Sequence, residues 1–243
     1  MTRRSDRFPA VVASAADVFI AHGYQRAQVQ DVADRLNVAK GTLYLYAEGK
    51  AALFAAAVRY ADGHQPFPSA AELPVPAPGV GEVAGLVADR LAAEVGGLKL
   101  VAALADPLPI AAGSSGDAEL AAIVLDLYER LAKHRVAIKL VDRCAPELPD
   151  LAAVWFGSGR DAQVGALEAY LTRRYQAGTV TLPGPAPLVA RTVIELCALW
   201  AVHCHFDPAR VSAGGDAASS IDDATVAAML AEMVVRATAR TPR

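Results

Sequence analysis

Between residues 40 and 50, Lys40, Gly41, Thr42, Tyr44, Tyr46 and Lys50 bring together two ammonium groups, three hydroxyls and a glycine. A lysine can donate to guanine O6 and N7. A threonine can hydrogen-bond a base edge or touch a thymine methyl, and a good base contact discriminates by roughly 1–3 kcal/mol. The other chemistry-bearing clusters are weaker. Cys197 and Cys204 lie seven residues apart, so on a helix their Cα atoms stand about 10 Å from each other. Zinc–sulfur bonds of about 2.3 Å need the sulfurs far closer than that. His203, Cys204 and His205 point in successive directions around a helix and cannot converge on one ion. No metal site or cofactor is expected. The run Gly79–Gly85 has the glycines of a dinucleotide loop, but it follows Pro74, Pro76 and Pro78 instead of a strand. Gly157-Ser158-Gly159 lacks the spacing of a nucleophile elbow. No pattern argues for an enzyme.

The residues of the 40–50 cluster need a scaffold, and the stretch from Tyr24 to Lys50 supplies one. Val29, Val32, Ala33 and Leu36 fall at i, i+3, i+4 and i+7, which makes one helix face apolar. Asn37 follows, a residue type that tolerates the left-handed conformation in which helices often end. Ala39 to Leu45 then gives barely two turns of a second helix. Short helix, tight turn, short helix is the pattern that lays its second helix in a major groove. Upstream, Val11, Ala15, Phe19 and Val12, Ala16, Ile20 form one broad stripe on a helix expected from Phe8 to His22, with Gly23 as its stop.

At these positions the chain resembles the TetR family of bacterial transcriptional regulators. Phe19, Gly23-Tyr24, Val32-Ala33, Lys40-Gly41-Thr42-Leu43-Tyr44, Tyr46, Lys50 and Leu53-Phe54 stand in register with that family's pattern, over about residues 8 to 60. The resemblance implies an all-α chain. An N-terminal three-helix helix-turn-helix DNA-binding domain with its connecting helix would occupy residues 1–61. A larger helical domain for effector binding and dimerisation would occupy residues 62–243. It further implies that Tyr44 and Lys50 contact phosphates, that residues around Lys40 to Leu45 face base edges, and that Gly41 lets the backbone come close. The chain departs from the pattern at Ala27, Gln28, Ala39, Ala47 and Gly49. Hydroxyl caps are missing at 27, 28 and 39, and each such loss typically costs about 1 kcal/mol. The first turns of the two helices are therefore expected to be softer, with the Gln28 amide replacing a hydroxyl at the phosphate. Ala47 stands where an aromatic core residue is usual, so the fourth helix is expected to sit differently.

Composition agrees with a helical chain. Of the 243 residues, 54% are hydrophobic but only 6% aromatic, and much of the apolar material is Ala and Leu, both strong helix formers. The net charge is −3, unevenly spread. Residues 1–50 carry seven cations against five anions, and the remainder sixteen against twenty-one. A mildly basic head on an acidic body suits a DNA reader carried on its own domain. Residues 3–7 read either as a basic arm or as a solvated terminus. No uninterrupted apolar run reaches membrane-spanning length, so a cytoplasmic chain without membrane contact is expected, its three cysteines free thiols.

Beyond the head, a fourth helix is expected over Lys50 to Ala61, ended by the prolines at 66, 68, 74, 76 and 78. The body should alternate helices with breakers. One or two helices fill Gly81 to Leu104, with Gly96-Gly97 as the break. A long helix capped by Ser114 runs to about Arg143, and another, from Pro149 to Ala177, bends at Gly157–Gly159. Two closing helices follow, one to Phe206 and one capped by Ser220. Val193, Cys197, Trp200 and Cys204 on the first, with Val226, Leu230 and Met233 on the second, form apolar stripes. Such stripes suit a four-helix bundle across a two-fold axis, as in the resembled family, or the monomer's own core. The family also encloses an effector among its body helices. Tyr128, His134, Trp155, Phe156 and Tyr170 are candidates to line such a pocket, with ordinary core packing as the alternative.

The reading that results is a homodimeric regulator, acting as a repressor, that binds double-stranded operator DNA and is released by a small, mainly apolar effector. Ala27, Ala39 and Ala47 motivate the alternative, a helical small-molecule-binding protein whose DNA binding is weakened or lost.

Overall fold

The computed structural model describes residues 4–63, 65–105, 116–207 and 222–239. Among these the regular elements are all helical, and the one β feature is an isolated bridge between Ala47 and Val75. The fold is all-α. In chain order the helices are α1 (Arg4–Arg26), α2 (Val29–Arg35), α3 (Lys40–Leu43), α4 (Lys50–Tyr60), α5 (Glu82–Gly96) and α6 (Lys99–Ala105). They continue with α7 (Asp117–Lys133), α8 (Arg135–Cys144), α9 (Pro149–Ala153), α10 (Arg160–Gln176), α11 (Ala186–Ala198) and α12 (Asp223–Thr238).

Several boundaries differ from the sequence reading. Residues 4–7, read as a basic arm or a solvated terminus, are the first residues of α1. The helix expected to continue to Arg143 breaks at His134 (φ −110°, ψ 22°) into α7 and α8. The helix expected over Pro149–Ala177 is two, joined by a wide π turn at Val154–Gly159 in which Gly157 leaves helical geometry. The break expected at Gly96-Gly97 is present between α5 and α6. Ser114 and Ser220 lie outside the described residues. The observed cap of α12 is Asp222, whose carboxylate accepts from the Thr225 amide at 2.6 Å.

The chain packs as two compact units, residues 1–90 with 134–158, and residues 91–133 with 159–243. This division differs from one at residue 61, for a physical reason. One face of α8 (Ala137, Leu140, Val141, Cys144) is buried, and α8 packs on α1 and α4.

In the first unit, Phe8, Val11, Val12, Ala15 and Phe19 of α1 are buried together with Leu53, Phe54 and Ala57 of α4. Phe19 meets Phe54 edge-on at 5.2 Å. Two charged side chains close helix ends that would otherwise leave backbone groups unpaired. The Asp62 carboxylate accepts from the Val136 and Ala137 amides at 2.9 and 3.0 Å, at the start of α8. The Arg90 guanidinium donates to the Val58 and Arg59 carbonyls, 2.9 Å each, at the end of α4. Each places its charge where the helix dipole favours it.

In the second unit α7 packs closely on α12, and α10 on α11 and α6. Val193, Cys197, Val226 and Leu230 are buried in this unit's own core. The stripe expected to face a second copy is therefore largely internal, because α7 and α10 already cover it. Trp200 and Cys204 are half-buried. The segment Ala186–Phe206 is 21 residues long and apolar, with an 18-residue window of mean hydropathy 1.4, and α11 within it packs on α7 and α10.

Candidate nucleic-acid interface

The head begins with a kink. Gly23 adopts φ 76°, ψ 174°, where a Cβ would run into the Glu147 carboxylate and the Arg143 guanidinium. The turn that follows is held by the Gln25 amide, which donates to Glu147 at 2.5 Å. Beyond the kink, Tyr24 stacks on Phe19 at 5.9 Å and meets Phe54 edge-on at 5.1 Å. Burial raises the Tyr24 pKa above its usual value, with a smaller contribution from the nearby Cys144 thiol.

Next, α2 turns Val32 and Ala33 inward. Its start lacks a hydroxyl cap, but the Asp31 carboxylate accepts from the Gln28 amide at 2.8 Å, so part of the missing capping comes from inside the helix. Asn37 takes φ 52°, the left-handed corner expected of it, and the Val38 amide closes the turn onto the Ala33 carbonyl at 3.0 Å. Then comes α3, a single turn of four residues with no side-chain cap at Ala39. The Tyr46 and Ala47 amides both donate to the Leu43 carbonyl, which extends the coil a little further. Leu43 is the anchor, fully buried.

With Leu43 inward, the opposite side of this stub faces out. Lys40 and Gly41 are exposed, Thr42 is half-exposed, and Tyr44 is 47% exposed. Gln28 is exposed at the foot of α2. Tyr46 is different: it is only 5% exposed, so its ring is part of the head's packing and not of its outer surface. Lys50 is half-buried. Its ammonium donates to the Gln25 carbonyl at 2.9 Å and lies 4.8 Å from the centre of the Tyr24 ring. Gly49, just before it, takes φ 93°, a conformation that favours glycine over the polar caps usual there.

The five residues offered for an effector pocket do not share a unit. Tyr128 and Tyr170 belong to the second, and His134, Trp155 and Phe156 to the first. Tyr128 is fully buried and donates to Asp223 at 2.9 Å. Tyr170 is fully buried and donates to Glu119 at 2.7 Å, and burial together with that carboxylate raises its pKa. The same Glu119 receives a two-pronged contact from buried Arg174, at 2.7 and 2.8 Å. Trp155 donates to Asp142 at 3.2 Å, and Phe156 is exposed. Each tyrosine hydroxyl is thus committed to a carboxylate of its own unit.

The residues that hold the head in place carry no local signal in the sequence. Asp62, Arg90 and Glu147 act across 31 to 122 residues, which no local spacing signals. Val75 is another: its amide and carbonyl pair with Tyr46 and Glu48 at the exit of α3.

The model of the bacterial regulatory proteins, tetR family, matches residues 11–57. No curated protein matches the chain. Among solved structures, the ketosteroid transcriptional regulator KstR2 of Mycobacterium tuberculosis superposes with a TM-score of 0.58 at 13% identity, over 97% of this chain and 96% of that one. The TetR family regulator PfmR of Thermus thermophilus gives 0.55 at 17%, over 99% and 100%. A tetR-family regulatory protein from Rhodococcus RHA1 gives 0.51 at 14%, over the whole of both chains. At such identities the likeness is one of fold. The match to the family model thus lies across the helix-turn-helix itself, and the likeness of fold extends over the rest of the chain.

Proposed function

We propose that this chain is a cytoplasmic, homodimeric transcriptional repressor that binds operator DNA and lets go when a small, mainly apolar effector binds. The observation that carries the reading is the α3 stub, anchored by Leu43 with Lys40, Gly41, Thr42 and Tyr44 outward. Residues 1–61 form the reading part and 62–243 the effector and dimer part. Lys40 and Thr42 address base edges. Gln28, Tyr44 and Lys50 address phosphates, and the Gln25 carbonyl and Tyr24 ring hold the Lys50 ammonium in place. Tyr46 supports the stub from beneath.

Two such heads read half-sites of a near-palindromic operator about one helical turn apart. An effector that binds better when the heads are wrongly spaced shifts the population away from the DNA-competent form, by its difference in affinity for the two forms.

The test is a selection of random DNA duplexes by the purified protein at two salt concentrations. A shared palindromic half-site, and a log–log salt slope of several units, would support the reading. Absence of any enriched sequence would reject it. That second result would favour a helical small-molecule-binding protein with lost DNA binding, a reading encouraged by the uncapped single turn of α3.

A further inference from the structure

The coil that begins at α3 tightens as it leaves the helix. The Thr42 amide donates to the Ala39 carbonyl at 2.8 Å, the Leu45 amide to the Thr42 carbonyl at 3.2 Å, and the Tyr46 amide to the Leu43 carbonyl at 2.9 Å. Bonds of this reach set side chains i and i+3 one above the other, so the stub presents its side chains in rows. Leu43 and Tyr46, 1% and 5% exposed, form the inner row. Gly41 and Tyr44 form one outer row, and Ala39, Thr42 and Leu45 form the other.

That second outer row is apolar apart from the Thr42 hydroxyl. Leu45 is 41% exposed, Thr42 half-exposed and Ala39 exposed. A lone leucine on a surface is ordinary. This one lies in register with two other methyl-bearing residues, on the stub whose outer side is read above as facing base edges. Leucine has neither donor nor acceptor. Set against the amino and carbonyl groups that adenine, guanine and cytosine present, it would strip their water and return nothing. Thymine alone carries an apolar group on its major-groove edge, the C5-methyl.

We propose that Leu45 is a specificity-determining residue, which selects thymine in the operator through apolar contact with its 5-methyl group in the major groove. This role rests on the DNA-reading function proposed above, and the test separates failure of one from failure of the other.

The probe is the duplex enriched by the full-length protein in the selection already described, with its thymines replaced one at a time by deoxyuridine. Uracil pairs as thymine does and lacks only the methyl. Fluorescence anisotropy gives the Kd of wild type and of Leu45→Ala on each duplex. At the thymine that Leu45 touches, deoxyuridine should weaken wild-type binding about 4-fold, the worth of one buried methyl. Leu45→Ala should bind the two duplexes alike at that position. Any change that the missing methyl makes to the duplex itself is shared by both proteins and cancels in the comparison. A thermal melt checks that the variant is folded, and Leu45→Gln, which keeps a side chain of similar length, serves if it is not. Wild type that binds the duplex but loses less than about 2-fold at every deoxyuridine would overturn the role of Leu45 and leave the DNA-reading function standing. A Leu45→Ala variant that keeps the full loss would do the same. Selection that enriches no duplex with wild type would overturn both.

Discussion

The Val75 amide donates to the Tyr46 carbonyl at 2.9 Å, and the Val75 carbonyl accepts from the Glu48 amide at 3.0 Å. A single extended residue of the proline-rich segment thus clasps the backbone where α3 ends and α4 is about to begin. Its neighbours, Pro74 and Pro76, have no N–H to offer, so of the three only Val75 can make this pairing. Val75→Pro should therefore lower stability by about 1 kcal/mol, the usual net worth of one hydrogen bond. Val75→Ala keeps the amide and should stay near wild type. Urea denaturation checks both, with the midpoint moving and the slope unchanged for the proline variant alone.

Tyr44 and Tyr46 are two residues apart and have opposite fates, one 47% and the other 5% exposed. Tyr44→Ala should weaken operator binding by roughly tenfold or more, with little change in stability, as should Lys40→Ala. Tyr46→Ala should instead cost about 3 kcal/mol of stability, as truncating a buried aromatic does. Filter binding beside thermal melts separates the two effects. Equal loss of fold from both variants would mean that α3 has no free face.

This contrast shows where the sequence was legible and where it stopped. The apolar spacing of Val29, Val32, Ala33 and Leu36 and the corner at Asn37 are local signals, and the helices they imply are there. Which of two nearby tyrosines turns inward depends on the hand of a one-turn helix anchored by Leu43, which residue types alone do not set. The division into units is also non-local. Nothing in the spacing of α8 says that its apolar face packs on α1, more than a hundred residues earlier. The same holds for the closing helices: periodicity finds the stripe through Val193, Cys197 and Leu230, but not what covers it.

Gly23 and Gly49 both have positive φ, 76° and 93°, yet only Gly23 is crowded. Alanine at 49 meets open space, so its cost is backbone strain alone, about 1 kcal/mol. Alanine at 23 adds a collision with Glu147 and Arg143, and should also loosen the Gln25–Glu147 bond. Gly23→Ala should therefore lower the melting temperature clearly more than Gly49→Ala. Similar melting temperatures would show that the Glu147 side chain simply swings away.

Burial pushes the Cys144 and Cys197 thiols up to about 12, with Glu147 adding to the effect at Cys144. In the unfolded chain they ionise near 9. A folded pKa above the unfolded one favours the native state fully below about pH 9, and that stability drains away as pH rises from about 9 towards 12. The raised Tyr170 pKa acts in the same direction above about pH 10. Denaturation midpoints should hold steady from about pH 7 to 9 and fall beyond it. In a thiol titration of the native protein at about pH 8, half-buried Cys204 should react first and the other two only on unfolding.

A face open to a second copy takes in Met233, at the exposed edge of the stripe that the periodicity marks. Met229 and Met233 on α12 are 42% and 50% exposed, and Leu188 and Leu199, at the start and just past the end of α11, are 62% and 44% exposed. On α12 the methionines are four residues apart and so share one helix face, bordering buried Val226 and Leu230. A dimer through this face would bring each pair of methionines near its symmetry mate. Met229→Glu with Met233→Glu should then set like charges against one another and yield a folded monomer. Leu230→Ala should leave association intact at low temperature but cost about 2–5 kcal/mol of stability, because it opens the unit's own core. Sedimentation velocity and circular dichroism on the two variants decide between the faces. A double-glutamate variant that remains dimeric would place the contact elsewhere.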